Sequence, residues 1–125
     1  MKDIKLTCLI IVTVFNLSCK TKHVRAKFIN ESKYDFNGFI AELGDETIKI
    51  DKIKSGQETE YYEVNETWTL INVKAIIDGD TVKLPRLCYT GEKLLKRGKV
   101  KFTVKVYEDK STGKKWMMAN GRRIY

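Results

Sequence analysis

Three cysteines and one histidine, His23, are the whole stock of soft or near-neutral titrating side chains in this chain. Ser–His–Asp and Cys–His catalysis both require a positioned imidazole, and a zinc site requires several His or Cys ligands. One histidine meets neither need, so the expectation is no metal and no cofactor. Asp78-Gly79-Asp80 is too short of oxygen ligands for a calcium loop. Carboxylates are the one catalytic class in supply: Glu42, Asp45, Glu46, Asp51, Glu58, Glu60, Glu63 and Glu66 fall within one short stretch. A pair of them at the right separation is what glycoside hydrolysis uses.

Basic residues are more abundant and more polarised. The formal net charge is +8, and nearly all the excess lies after residue 92. Alternation along Lys99–Tyr107 places Lys99, Lys101 and Lys105 on one face of a single strand, opposite Val100, Phe102, Val104 and Val106. Lys114, Lys115, Arg122 and Arg123 lie close by in sequence and complete a candidate anion-binding surface. Such a cluster attracts anions over roughly 8 Å at physiological salt, and an acidic protein, a glycan or a lipid head group would satisfy it. Tyr107, Trp116 and Tyr125 are interleaved with these charges, as in stacking platforms for nucleic acid. The export signal described below argues against a nucleic-acid partner.

The elements that must position these charges read as strands. Val24–Asn30 alternates Val24, Ala26 and Phe28 with Arg25 and Lys27. Phe36–Leu43, Thr47–Ile53 and Glu58–Val64 follow, with Gly44-Asp45-Glu46 and Ser55-Gly56-Gln57 as breaks. Trp68–Asp78 is the most apolar segment and is expected to cross the core. Asp78-Gly79-Asp80 signals a hairpin returning through Thr81–Leu84 to Pro85. A helical turn is expected around Glu92–Lys96. After Lys99–Tyr107 and a turn at Asp109–Lys115, the Asn120-Gly121 pair signals a tight hairpin between Trp116–Ala119 and Arg122–Tyr125. Seven to eight short strands without a long helical pattern imply an all-β chain, a single antiparallel β-sandwich.

Upstream of the first strand, Lys2 and Lys5 precede the apolar run Leu6–Leu17, and small Ser18 stands directly before Cys19. That is the layout of a secretory signal, and the run is short of the roughly 20 apolar residues a membrane span needs. Asn16-Leu17-Ser18-Cys19 resembles the lipobox of bacterial lipoproteins of the Bacteroidota type, with Asn16 standing where leucine is usual. The resemblance implies cleavage after residue 18 and acylation of Cys19, with residues 19–23 a short tether and residues 24–125 the domain. Cys8 would leave with the signal, and Cys88 would then have no disulfide partner.

Three further segments resemble small lipoproteins of that group: Asn30-Glu31-Ser32-Lys33-Tyr34-Asp35, Ile50–Tyr61, and the run Gly91–Gly98 before a long strand. They imply an immunoglobulin-like or transthyretin-like sandwich in the cell envelope, lipid-anchored to a membrane, the outer membrane in the first instance. The combined expectation is a non-enzymatic binding or structural module whose basic surface faces an anionic partner or the membrane. The alternative is a carboxylate-dependent hydrolase acting on envelope polysaccharide.

Overall fold

The computed structural model describes residues 22–84 and 93–124. The segment read above as a secretory signal, Cys8, Cys19, Cys88, Pro85, Tyr125 and the start of the Gly91–Gly98 run lie outside these residues. The described chain is all-β: β1 (Val24–Asn30), β2 (Phe36–Leu43), β3 (Glu46–Ile53), β4 (Tyr62–Val64), β5 (Thr67–Trp68), β6 (Leu70–Ile77), β7 (Asp80–Lys83), β8 (Leu94–Leu95), β9 (Gly98–Glu108) and β10 (Lys115–Ile124). The main sheet runs β3-β2-β6-β10-β9-β1-β4, with β7 also on β6, and β5 pairs β8 separately.

Strand β6 is the corner of the fold, because its second edge is divided between two partners. Leu70 and Ile71 pair with Asn120 and Ala119 of β10, whereas Lys74–Ile77 pair with β7. The sheet therefore bends at β6, and the half made of β3, β2, β6 and β7 lies over the half made of β10, β9, β1 and β4. Phe28 of β1 and Phe39 of β2, far apart along the sheet order, meet edge to face at 5.3 Å between ring centroids. Phe102 stacks on the other side of Phe28 at 5.5 Å, so aromatic rings fill the space between the halves. Along the open side, the Asn65 N–H donates to the Glu46 carboxylate at 2.6 Å, which draws the β3 and β4 edges together and nearly closes a barrel.

Alternation explains the strands that matched expectation. Val24, Ala26, Phe28 and Asn30 are buried on β1, and Val100, Phe102 and Val104 on β9. The Asp78-Gly79 turn also forms, with Ile77 opposite Asp80 and φ of 50° and 86° at its two central residues. Two positive φ values define the type I′ turn that suits the twist of a hairpin.

Several expectations are corrected. Pairing is antiparallel except between β1 and β9, which run parallel from Val24↔Gly98 to Asn30↔Val104. Parallel neighbours need a crossover, and here everything from β2 to β8 supplies it. Asn120-Gly121 is not a turn: β10 continues through it, with Asn120 opposite Thr103 and Gly121 opposite Phe102. In place of the helical turn at Glu92–Lys96, Leu94 and Leu95 pair with Trp68 and Thr67. Trp68 is 45% exposed and does not cross the core; Ile71, Val73, Ala75 and Ile77 do. Of Glu58–Val64 only Tyr62–Val64 is strand, because Thr59 Oγ1 takes the Phe28 N–H at 3.0 Å where a ladder carbonyl would.

Candidate functional site

The outer face of β1, β9 and β10 gathers cations from three adjacent strands. Parallel register sets Arg25 beside Lys99 and Lys27 beside Lys101, and antiparallel register sets Arg122 on the other side of Lys101. Strands lie about 4.8 Å apart, and like charges directly opposite one another destabilise a sheet. Two groups offset that repulsion. The Tyr61 ring lies under three cations at once, with Arg25 Cζ 5.0 Å, Lys27 Nζ 4.8 Å and Lys99 Nζ 5.5 Å from its centroid. The Glu58 carboxylate bonds Lys27 and stands 3.8 Å from Lys101. Its hydrogen bond with Lys27 holds the Glu58 carboxyl below the usual range and the Lys27 ammonium above its own.

Lys105 and Arg122 have no such partner: among the described residues no carboxylate lies within ion-pair distance of either. Between them the face is low. Thr103 and Asn120, short and uncharged, are opposite one another in the ladder, and the longer Lys101, Lys105 and Arg122 rise around them. The result is a groove of about 550 Å³ whose lining also includes Glu31. Farther along the same face Tyr107 and Trp116, opposite one another, stack at 5.9 Å with 18° between ring planes.

The seven basic residues singled out from the sequence do not form one cluster. Lys99, Lys101, Lys105 and Arg122 share the outer face. Lys114 sits in the exposed β9–β10 connection, and Lys115 lies opposite Glu108, about 30 Å along β9 from Lys99 at 3.3 Å per residue. Lys115 is further engaged by Glu108 at 3.9 Å and by the Tyr34 ring at 5.5 Å. Arg123 pairs with Val100 at the other end, its guanidinium against Gly98. The site residues that sequence reasoning missed are Arg25, Lys27, Glu58 and Tyr61. The alternation of β1 already turned Arg25 and Lys27 outward, but no local signal places β1 beside β9.

The acidic stretch does not converge in the same way. Glu46 is tied to Lys22 and Asn65, Glu58 to Lys27 and Lys101, and Glu63 stands opposite Arg25. Two concavities of the described surface each contain one carboxylate, Glu31 in the groove above and Glu42 in a second of about 240 Å³ on β2, β6 and β7. Among the described residues no group of three His, Cys, Asp or Glu gathers as metal ligands would.

A scan against protein-family models finds no match, and searches of the curated proteins and of the solved structures find none either.

Proposed function

We propose that this protein is a non-enzymatic module of the cell envelope, lipid-anchored at Cys19, that binds an anionic partner through the outer face of β1, β9 and β10. The observation that carries this reading is the convergence of Arg25, Lys27, Lys99, Lys101, Lys105 and Arg122 on adjacent strands, where among the described residues only Lys27 and Lys101 have a carboxylate within ion-pair distance. The envelope placement, the acyl anchor and the immunoglobulin-like or transthyretin-like kinship of the sandwich rest on the lipobox-like Asn16–Cys19 and on the resemblance to Bacteroidota lipoproteins. Tethering raises effective concentration, so weak contacts suffice.

Charge reversal tests the face. The triple variant Lys99→Glu, Lys101→Glu, Lys105→Glu is expected to lower affinity for dextran sulfate at least tenfold, with the loss shrinking as salt rises. Unchanged retention on the polyanion would sink the proposal. The converse change, Glu58→Gln, releases Lys27 and Lys101 from their shared carboxylate and should tighten polyanion binding by about two- to threefold, in keeping with a modest exposed ion pair. Mass spectrometry of the mature N-terminus tests the anchor: an acylated Cys19 is expected, and an intact Met1 would remove it.

A second reading, the anionic bilayer itself as partner, is favoured by where the chain enters the domain. Val24 lies opposite Gly98 and Arg25 opposite Lys99, so residues 19–23, spanning at most about 18 Å, hold that end near the anchor. Each basic residue near an anionic leaflet contributes about 1 kcal/mol. Vesicles containing phosphatidylglycerol should then retain the protein better than pure phosphatidylcholine, and equal retention would exclude the bilayer.

A further inference from the structure

We propose that the groove between β9 and β10 is a binding site for an acidic sugar chain, with carboxylate or phosphate substituents held by Lys101, Lys105 and Arg122 and a sugar ring seated against the Tyr107–Trp116 pair. This rests on the anionic-partner reading and names the ligand class.

The groove contains more than charge. A planar leaflet engages the tips of long basic side chains and has no use for a recessed floor. Here the floor is Thr103 and Asn120, a hydroxyl and an amide that both donate and accept hydrogen bonds. Glu31, the one carboxylate among the described residues of the lining, is an acceptor. Sugar hydroxyls need donors and acceptors of this kind side by side. The walls are the three cations, and Arg122 offers the planar fork that binds a carboxylate or phosphate through two parallel hydrogen bonds. Lys105 and Arg122 are the cations of the face with neither a carboxylate within ion-pair distance nor a tyrosine ring beneath them among the described residues. Among the described residues no ion pair has to be broken there for an anion to enter.

The aromatic pair lies in line with the groove. Tyr107 follows Lys105 by two positions on the same face of β9, about 7 Å away, and lies about 20 Å from Lys101. Trp116 faces Tyr107 across the ladder, and Tyr107 is 40% exposed. Exposed aromatic rings with a polar edge suit a ligand that presents both C–H faces and hydroxyls. Aromatic platform, cations and a neutral hydrogen-bonding floor thus share one face of a single hairpin, as rings, acidic substituents and hydroxyls share an acidic glycan.

The test uses the full acylated chain, in non-ionic detergent with oligogalacturonate as the acidic probe and a neutral galactan oligomer as its uncharged counterpart, and freed of detergent for the lipid arm, where retention is the excess on phosphatidylglycerol over phosphatidylcholine vesicles. Titration is followed by tryptophan fluorescence in a Trp68→Phe background, so that the signal reports Trp116. Oligogalacturonate should bind at least tenfold better than the neutral oligomer. Lys105→Ala with Arg122→Ala should abolish that margin, while Lys114→Ala at the hairpin tip leaves it unchanged. Trp116→Leu removes the fluorophore and is followed by titration calorimetry instead; it should weaken oligogalacturonate about three- to tenfold and leave vesicle retention alone, and because Trp116 is half-buried, its melting curve is compared with that of the surface variants. Equal binding of acidic and neutral oligomers, or no effect of the double substitution, overturns the inference. Retention by vesicles alone also overturns it while leaving the basic-face reading intact, whereas failure with oligogalacturonate, vesicles and dextran sulfate removes both.

Discussion

Replacing Asn30 by alanine is expected to destabilise the domain by about 3 kcal/mol, a large part of the 5–15 kcal/mol that separates folded from unfolded states. Asn30 is completely buried at the end of β1. Its amide group donates to the Tyr34 carbonyl at 2.7 Å and to the Ile53 carbonyl at 3.1 Å. Its carbonyl accepts from the Ser32 N–H at 2.9 Å and from the Ser32 hydroxyl at 2.6 Å. One side chain thus fastens the β1–β2 loop to the end of β3. Alanine strands the Ile53 carbonyl in a buried site and the Ser32 N–H in a half-buried one, and a stranded buried group costs about 1–3 kcal/mol. Ser32→Ala should cost about 1 kcal/mol, since Asn30 keeps both its donor bonds.

Asn30→Asp separates hydrogen-bond donation from shape. At neutral pH the carboxylate turns an acceptor toward two carbonyls, so it should be no more stable than the alanine variant. Burial and the facing carbonyls raise the folded-state pKa of such a group above its unfolded value. The folded state then holds the proton between those two values, so stability is greatest below the unfolded value and declines as pH rises through the raised one. Glu58 runs the other way, since its carboxyl is depressed by Lys27: its contribution is present above the unfolded value and lost as pH falls. Chemical denaturation across acid pH should show the Asp variant gaining on the wild type as pH drops. Asn30-Glu31-Ser32 has the form of an N-glycosylation sequon, and the same geometry spends both amide hydrogens of Asn30 inside the fold.

The elements that could be read from sequence are those whose cause is local. Period-two burial placed β1 and β9 nearly residue for residue, and Asp78-Gly79 formed its turn, because each signal acts between near neighbours in the chain. The same turn chemistry misled at Asn120-Gly121. There a ten-residue ladder to β9 outweighs the preference of two residues: the turn at Asp109–Lys115 was legible, but not that the strand after it runs on through Asn120-Gly121. The candidate site was half legible for a related reason. Lys99, Lys101 and Lys105 declare their common face through alternation, but the charges nearest them in space come from β1, dozens of positions upstream and in parallel register. Lys114 and Lys115, nearest in sequence, are carried to the far end of the hairpin. Trp68 shows that hydrophobicity without phase is a weak guide: the buried set of β6 begins at Ile71 and leaves Trp68 and Ile76 outside.

Gly121→Ala is expected to cost about 2 kcal/mol, the usual scale of overpacking a filled core, and to lower the melting temperature by roughly 8–16 °C in a domain of this size. A Cβ at this position would stand 2.7 Å from Phe102 Cε1 and 3.0 Å from Val100 Cγ2. Neither neighbour has room to retreat: both are fully buried, and Phe102 stacks on Phe28, which in turn meets Phe39. Nor can the β10 backbone shift outward, because the Gly121 N–H donates to the Thr69 carbonyl at 2.6 Å beside the corner where β6 divides its edge. Combining Gly121→Ala with Phe102→Leu should therefore cost clearly less than the two single changes added together, since removing the ring makes room for the methyl group. The added methyl points into the core, so the double variant should keep its affinity for anionic ligands on the outer face. Strict additivity would mean that the glycine is required by its backbone and not by the ring of Phe102.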